Sequence, residues 1–379
     1  MRKINILQFI CPTGFYGAER WVLALANNLN QTEVRCDLAV TEESDSQQNL
    51  EILNHYPNIE GQTFKIQLES RFDLKSITQL SKIIRERNID IIHTHGYKSD
   101  ILGLIAAKKC GIKSVSTPHG FGEPASFKHK LFVKAGAFSL KFFSRVIPLS
   151  QALYDDCIRF GVPKQKLNYI QNGVDLKEVE EYRLTKPTKD PDSTTPKIIG
   201  FIGQMVPRKK VSDILQIFEA LCERHDNLGL ELLGDGSSRE ELESEANNLK
   251  HKDKIDFLGF RNDRMEKLSN FDLFVMTSSS EGIPRCLMEA MAMEIPVSAY
   301  NIPGIDQLLN HEETGLLADL DDIATLTKYW EKLLFDPVYA NTLASNARSF
   351  VHERFSAARM AKEYTVVFQD LINNTNKFK

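Results

Sequence analysis

Short apolar runs alternate with amphipathic segments along almost the whole chain, and this rhythm constrains the fold more than any other feature. Before residue 184 the runs are INILQFI (4–10), RCDLAV (35–40), IDIIHTH (89–95), KSVSTPH (113–119), RVIPLS (145–150) and KLNYIQN (166–172). Most are apolar without strict alternation, as expected of strands in a parallel sheet covered on both faces. Helical patterns lie between them, such as LKSITQLSKIIRERN (74–88) and DILGLIAAKKCG (100–111), the second closed by a glycine suited to a helix C-terminus. LTKPTKDPDSTTPK (184–197) then interrupts with almost no apolar content and reads as a surface linker. The rhythm restarts with KIIGFIG (197–203), GLELLG (229–234), KIDFLGF (254–260), FDLFVMTS (271–278) and IPVSAY (295–300), and from 337 onward the pattern is helical. An α/β chain of two doubly wound, Rossmann-like domains in series follows. The domains are expected at 1–183 and 197–355, with 184–196 as linker and a C-terminal helix within 356–379 crossing back to complete the first. Two such domains facing one another would make a cleft lined by strand-to-helix loops, where open parallel sheets bind ligands.

Bulk properties narrow the class. A chain of 379 residues, 42% hydrophobic and 26% charged, holds enough core for two domains. Its net charge of −4 argues against a protein built around nucleic acid. The six cysteines are scattered without metal-type spacing and read as reduced thiols of a cytoplasmic protein. The opening MRKINILQFICPTG reads as a first buried strand rather than a signal peptide, because Asn5 and Gln8 interrupt it and no small-residue cleavage site follows. No window approaches the roughly 20 apolar residues that span a bilayer.

Three loops carry candidate chemistry. CPTGFYGAER follows the first strand, with Gly14 and Gly17 where the next helix starts. It reads either as a plain glycine turn or as an anion site at a helix N-terminus, and it is not the GxGxxG of a dinucleotide fold. GQMVPRKKVSDIL places Arg208, Lys209 and Lys210 just ahead of a helix starting near Val211 or Ser212. Cations there oppose the helix dipole, so the cluster is either a solvated basic turn or one half of a diphosphate site. SSSEGIPRCLMEAMA sets Glu281 in a turn and Glu289 about 1.5 turns into the next helix. Pro284 suits the first helical position, and the amides of Arg285, Cys286 and Leu287 then point out of the helix end. Carboxylates accept from vicinal hydroxyls, so the pair is either two surface glutamates or a grip on a sugar or ribose.

Taken in order, YGAER, TPHGF, NGVD, GQMVPRKK, LLGDGSSREELE, FLGF and EGIP-x5-EAMA resemble the retaining glycosyltransferases of family 4, also called glycosyl transferases group 1. The resemblance runs from about residue 5 to 372. It implies the GT-B fold and transfer of a hexose-type sugar from a nucleotide-sugar donor, with a UDP-sugar favoured over a GDP-sugar. The acceptor would be a hydroxyl of a glycan or lipid-linked molecule in cell-envelope polysaccharide or lipopolysaccharide assembly. Carried over, Glu289 would hold the ribose hydroxyls and Glu281 the donor sugar, helped by Gly282, Ile283, Pro284, Arg285, Cys286 and Leu287. Lys209 would neutralise the diphosphate, with Arg208 and Gly17 nearby, and backbone near Phe260 would read the base. His119 would lie near the donor sugar and phosphate. Lys209, Glu281 and His119 are thus the implied catalytic group.

Three departures from the family pattern stand out. Gln204 occupies the position of the usual arginine, Lys210 that of the usual glycine, and Tyr16 that of the first glycine of the Gly-Gly-Ala-Glu loop. Gln204 keeps open a sugar-nucleotide-binding protein without transfer activity; a nicotinamide-linked oxidoreductase is disfavoured by the missing GxGxxG and by the basic cluster. The resemblance implies no cofactor and no metal. His93 and His95 share a strand face but have no third ligand nearby in sequence, and read as packing and hydrogen-bonding residues. Residues 126–145 carry Lys128, Lys130, Lys134, Lys141 and Arg145 among seven Phe and Leu side chains with no Asp or Glu. This is either a core helix with a solvated lysine face or a membrane or acceptor contact, the latter placing a cytoplasmic protein at the inner face of the membrane.

Overall fold

The computed structural model describes residues 2–12, 14–43, 50–57, 59–68, 74–121, 127–185 and 195–376. Most of the linker, 186–194, lies outside the described residues, as do the side chains of Lys128 and Lys130. The chain divides into two compact units, 1–173 with 357–379, and 174–356.

The first unit is built on a six-stranded parallel sheet in the order β3-β2-β1-β4-β5-β6. Its elements are β1 (Ile4–Ile10), α1 (Gly17–Asn28), β2 (Val34–Glu43), α2 (Glu51–Asn54), β3 (Thr63–Leu68), α3 (Leu74–Glu86), β4 (Ile91–His95), α4 (Tyr97–Cys110), β5 (Lys113–Ser116), α5 (Phe127–Ser139), β6 (Arg145–Val146) and α6 (Gln151–Arg159). The second unit opens with α7 (Leu176–Thr185), which was expected in the first domain but packs on helices of the second. There follow β7 (Lys197–Ile202), α8 (Val211–Cys222), β8 (Leu228–Leu233), α9 (Arg239–Asn247), β9 (Ile255–Gly259), α10 (Arg264–Ser269), β10 (Leu273–Met276), α11 (Arg285–Ala292), β11 (Val297–Tyr300), β12 (Leu316–Ala318), α12 (Ile323–Phe335) and α13 (Pro337–Arg354). Its sheet, also parallel, runs β12-β11-β10-β7-β8-β9. Finally α14 (Ala357–Asn376) returns to the first unit and packs on α1. Among the described residues no helix is long and apolar enough to cross a membrane, and all six cysteines are free thiols.

The strands follow the sequence where burial dominates. β1, β4, β10 and β11 are buried almost end to end, which is why they read as plain apolar runs. Two strands escaped the sequence reading. β3 is an edge strand with only Ile66 and Leu68 buried, so its polar residues hide the pattern. β12 is three residues long. Conversely, 166–172 is not a strand. It lies along 146–149 and donates from Asn168, Ile170 and Asn172 to the carbonyls of Val146, Pro148 and Leu149, yet only Val146 and Leu167 form a bridge. Pro148 has no N–H to return, so the ladder stops there.

The α14 contribution is large for a segment so far from the rest of its unit. Met360, Tyr364 and Phe368 are fully buried against the α1 side of the sheet, together with Trp21. Tyr364 Oη also meets Thr117 Oγ1 at 2.8 Å, at the end of β5. Phe368→Ala should therefore cost the first unit about 3–5 kcal/mol, seen as an earlier urea transition in that unit alone.

Candidate donor site and the histidine cluster

Two loops at the carboxyl ends of the adjacent strands β7 and β10 form the charged centre of the second unit. They are stitched together through the backbone. Ser279 N donates to Arg208 O at 2.8 Å, and Thr277 Oγ1 donates to the carbonyls of Lys209 and Lys210 at 3.1 and 2.9 Å. Arg208 Nη1 returns a bond to Ser280 O at 3.0 Å. Glycines allow the supporting loops to come this close. A Cβ on Gly304 would sit 1.8 Å from Gly282 O, and one on Gly234 would sit 1.8 Å from Gly203 O; both have positive φ.

Across this junction Lys209 Nζ donates to Glu281 Oε1 at 2.5 Å, with each side chain about 8% exposed. Arg208 reaches the same oxygen at 3.4 Å but is half exposed. The three cations adjacent in sequence are therefore not one cluster. Lys209 turns inward, Arg208 rims the site, and Lys210 turns away to Asp213 and Asp321 at 3.3 and 3.0 Å. Lys210 takes φ 47°, a left-handed conformation that costs a side-chain-bearing residue roughly 1 kcal/mol and glycine almost nothing. That explains why a glycine fits this position in the family pattern. Gln204, just past the end of β7, is exposed.

Glu289 is the most enclosed charge of the unit, 1% exposed. Arg264 grips it with both terminal nitrogens, Nη2 to Oε1 at 3.1 Å and Nη1 to Oε2. Arg285 Nε adds a bond to Oε1 at 2.7 Å. Glu178 of α7 lies 3.8 and 3.5 Å from the same two guanidiniums. Burial alone would raise the Glu289 pKa, but the two arginines overcome it and bring it down to about 2. Arg285 was singled out for its amide, and its position four residues before Glu289 was a legible helix pair. Arg264 was missed, since nothing local ties it to residue 289. Pro284 stands one residue before the helix, with α11 beginning at Arg285. The amides of Arg285, Cys286 and Leu287 hence form the helix's open end. Burial pushes the Cys286 thiol up to about 12, so it is no nucleophile at neutral pH. Leu287 is fully buried and Ile283 nearly so, while Gly282 and half-exposed Phe260 reach the surface.

Gly17 and His119 belong to the first unit. Gly17 begins α1, and a Cβ there would meet nothing within 4 Å. The α1 end is fixed by Glu19, whose Oε2 accepts from Tyr16 N at 2.9 Å. His119 is part of a histidine cluster at the ends of β4 and β5. Its Nε2 lies 3.1 Å from His95 Nδ1, and His95 Nε2 lies 2.6 Å from Gln8 Oε1. His93 Nε2 lies 2.8 Å from Thr117 Oγ1. Trp21 contacts all three rings, with centroids 5.2–5.9 Å away. Burial holds His119 down to about 4 and His93 to about 3, and His95, facing both, is held well below the ordinary range. The three rings are neutral at pH 7. The bonds also couple their tautomers: with Gln8 Oε1 accepting from His95 Nε2, His95 Nδ1 accepts from His119 Nε2–H. His93 and His95 therefore serve as hydrogen-bonding core residues.

Two parallel-sheet units with these loops at their strand ends define a glycosyltransferase of the GT-B fold. The glycosyl transferases group 1 family model matches residues 184–350, and the Glycosyltransferase Family 4 model matches residues 15–178. The chain belongs to this family of glycosyltransferases. It is 28% identical to an Escherichia coli UDP-Gal:alpha-D-GlcNAc-diphosphoundecaprenol alpha-1,3-galactosyltransferase, over 80% of this chain and 81% of the relative. It is 25% identical to the Bacillus anthracis N-acetyl-alpha-D-glucosaminyl L-malate synthase, over 86% and 87%. Anabaena Alr3699/HepE, solved in complex with UDP and glucose, shares the fold with a TM-score of 0.77 at 20% identity, covering 97% of this chain and 100% of that one.

Glu289 carries a measurable consequence. A carboxylate with a folded pKa near 2 against an ordinary value of 4.5 stabilises the fold fully above about pH 4.5. That stabilisation, on the order of 3 kcal/mol, is lost as pH falls through the folded pKa. Glu289→Gln should flatten this part of the acid-stability profile and, by leaving two buried guanidiniums without their main counter-charge, cost about 3–5 kcal/mol at pH 7. Urea midpoints of both proteins between pH 7 and pH 2 check it.

Proposed function

We propose that the chain is a retaining glycosyltransferase that moves a hexose-type sugar from a UDP-sugar to a hydroxyl of a lipid-linked or glycan acceptor in cell-envelope polysaccharide assembly. The observation that carries the donor half is the buried Lys209–Glu281 contact at the ends of β7 and β10. A sheltered ammonium beside the open amides of α11 suits a diphosphate, and a carboxylate touching that ammonium suits the sugar next to it. Both cationic contacts fall on Glu281 Oε1, which leaves Oε2 to accept from a sugar hydroxyl. Arg264 and Arg285 fill three of the four acceptor sites of Glu289, which leaves one, on Oε2, for a ribose hydroxyl. Support for UDP comes from the named donor of the E. coli relative and from the UDP-bound Anabaena structure; a GDP-sugar is the second choice. Support for a lipid-linked acceptor comes from the diphosphoundecaprenol in that relative's name, and such an acceptor places the protein at the inner face of the cytoplasmic membrane.

In the step proposed, the bond from the anomeric carbon to the diphosphate oxygen breaks while the acceptor oxygen bonds to the same face of that carbon. The acceptor proton passes to a diphosphate oxygen, so no protein nucleophile is required. Lys209 stabilises the charge that gathers on the departing diphosphate, which gives the reaction a cation without a metal.

Lys209→Ala should lower kcat by about 100-fold or more with a smaller change in donor KM; initial rates of UDP release check it, and near-wild-type turnover would remove the electrostatic core of the proposal. Gln204→Arg, which restores the family's second cation at an exposed position, should raise kcat several-fold by about 1 kcal/mol of added stabilisation. Wild-type rates in that variant would mean the leaving group does not approach Gln204.

A further inference from the structure

The chain's charge is sharply segregated, and the segregation coincides with exposed apolar side chains. Residues 101–174 hold 11 Lys and Arg against 3 Asp and Glu, a net of +8, whereas the whole chain carries −4. Everything outside this stretch is therefore strongly acidic. Its described residues up to Gly173 belong to the first unit. α4 packs on α5, closely enough that a Cβ on Gly136 would meet Tyr97 at 2.4 Å, and a short turn at Leu140–Phe142 continues α5.

The outer face of this region mixes cations with large apolar groups. Leu131 and Phe138 are 61% and 56% exposed, two turns apart on α5, with exposed Lys134 between them. Phe142 follows at 48%, edge-on to Phe138 with centroids 5.4 Å apart. On α4, Ile105 is 43% exposed, and Lys108, one turn on, lies 4.8 Å over the Phe142 ring. Lys141 lies 4.9 Å over Phe138. Lys166 donates to Lys141 O at 2.7 Å, and its pKa is lowered by burial and by the nearby Arg145 and Lys108. Among the described residues none of Lys108, Lys134, Lys141, Arg145 or Lys166 forms an ion pair. Among the described residues these like charges are thus gathered without counter-ions, beside apolar side chains that are 43–61% exposed.

We infer that this face, Ile105 and Lys108 of α4 with Leu131, Lys134, Phe138, Lys141 and Phe142, docks the protein on an anionic lipid bilayer. Cations without counter-ions are drawn to the acidic headgroups, and the aromatic and aliphatic side chains enter the headgroup–acyl boundary. The aliphatic pair Leu131 and Ile105 favours this occupant over a nucleic acid, which would give them no partner. The inference does not depend on which acceptor the enzyme uses, and a failed docking test would leave the donor site untouched.

The test is co-sedimentation of the full chain with phosphatidylcholine vesicles and with vesicles that also contain phosphatidylglycerol. The expected result is binding at least tenfold tighter to the anionic vesicles and weakened by salt. Lys108→Glu with Lys134→Glu and Lys141→Glu should weaken it by at least about a hundredfold, since each cation contributes roughly fivefold. Phe138→Ser with Phe142→Ser should weaken it at constant charge. All variants lie at the surface and should keep the wild-type melting temperature, and Lys→Arg replacements at the same three positions should restore binding. No binding to anionic vesicles, or equal binding to neutral ones, would overturn the inference. So would binding to heparin or duplex DNA that matches vesicle binding and ignores the Phe138 and Phe142 changes.

Discussion

An ammonium held against a carboxylate, both nearly out of water, is the interaction on which the second unit's loops depend. Lys209 and Glu281 lie in different loops, 72 residues apart, and the contact forces those loops into register. Thr277, Ser279 and Arg208 then close the remaining backbone groups between them. A buried pair of this kind gains little net stability over an apolar contact, because desolvation offsets most of the attraction. Its value is positional. The pair holds the Lys209 side chain at the carboxyl ends of the central strands, where a parallel sheet presents its ligands.

The second glutamate solves a different problem. Glu289 could not stay charged in a closed site without partners, and Arg264 and Arg285 supply them from α10 and from its own helix. Glu178 ties α7 to the same network. This accounts for α7 lying with the second unit even though it precedes the linker in sequence. One carboxylate near the surface of the site and one anchored beneath it make two grips with different stiffness.

Much of this was legible in the sequence, and the limits have physical reasons. Buried central strands declare themselves as apolar runs, so both sheets were visible except for β3 and β12 at their edges, where one-sided burial and short length erase the pattern. The run 166–172 has strand composition, but its partner contains Pro148, and a missing N–H is a property of the neighbour rather than of the run. Family resemblance singled out Lys209, Glu281, Glu289 and His119 as candidates. It did not show that Lys210 turns away, which follows from its left-handed backbone, nor that Arg264 holds Glu289 from 25 residues upstream. The coupled neutral histidines were likewise invisible, because their pKa values depend on burial around Trp21 that only the fold creates.

On the function proposed, the second unit recognises a nucleoside diphosphate chiefly through its terminal phosphate. The most direct measurement is the thermal midpoint of the pure protein with UDP and with UMP, in a chelator, at equal concentrations. Ligand bound to the folded state raises the midpoint according to its affinity. The account predicts a clear rise with UDP and a much smaller one with UMP, which lacks the phosphate that Lys209 would meet. Equal shifts from the two nucleotides would contradict it, because binding would then owe nothing to the buried ammonium.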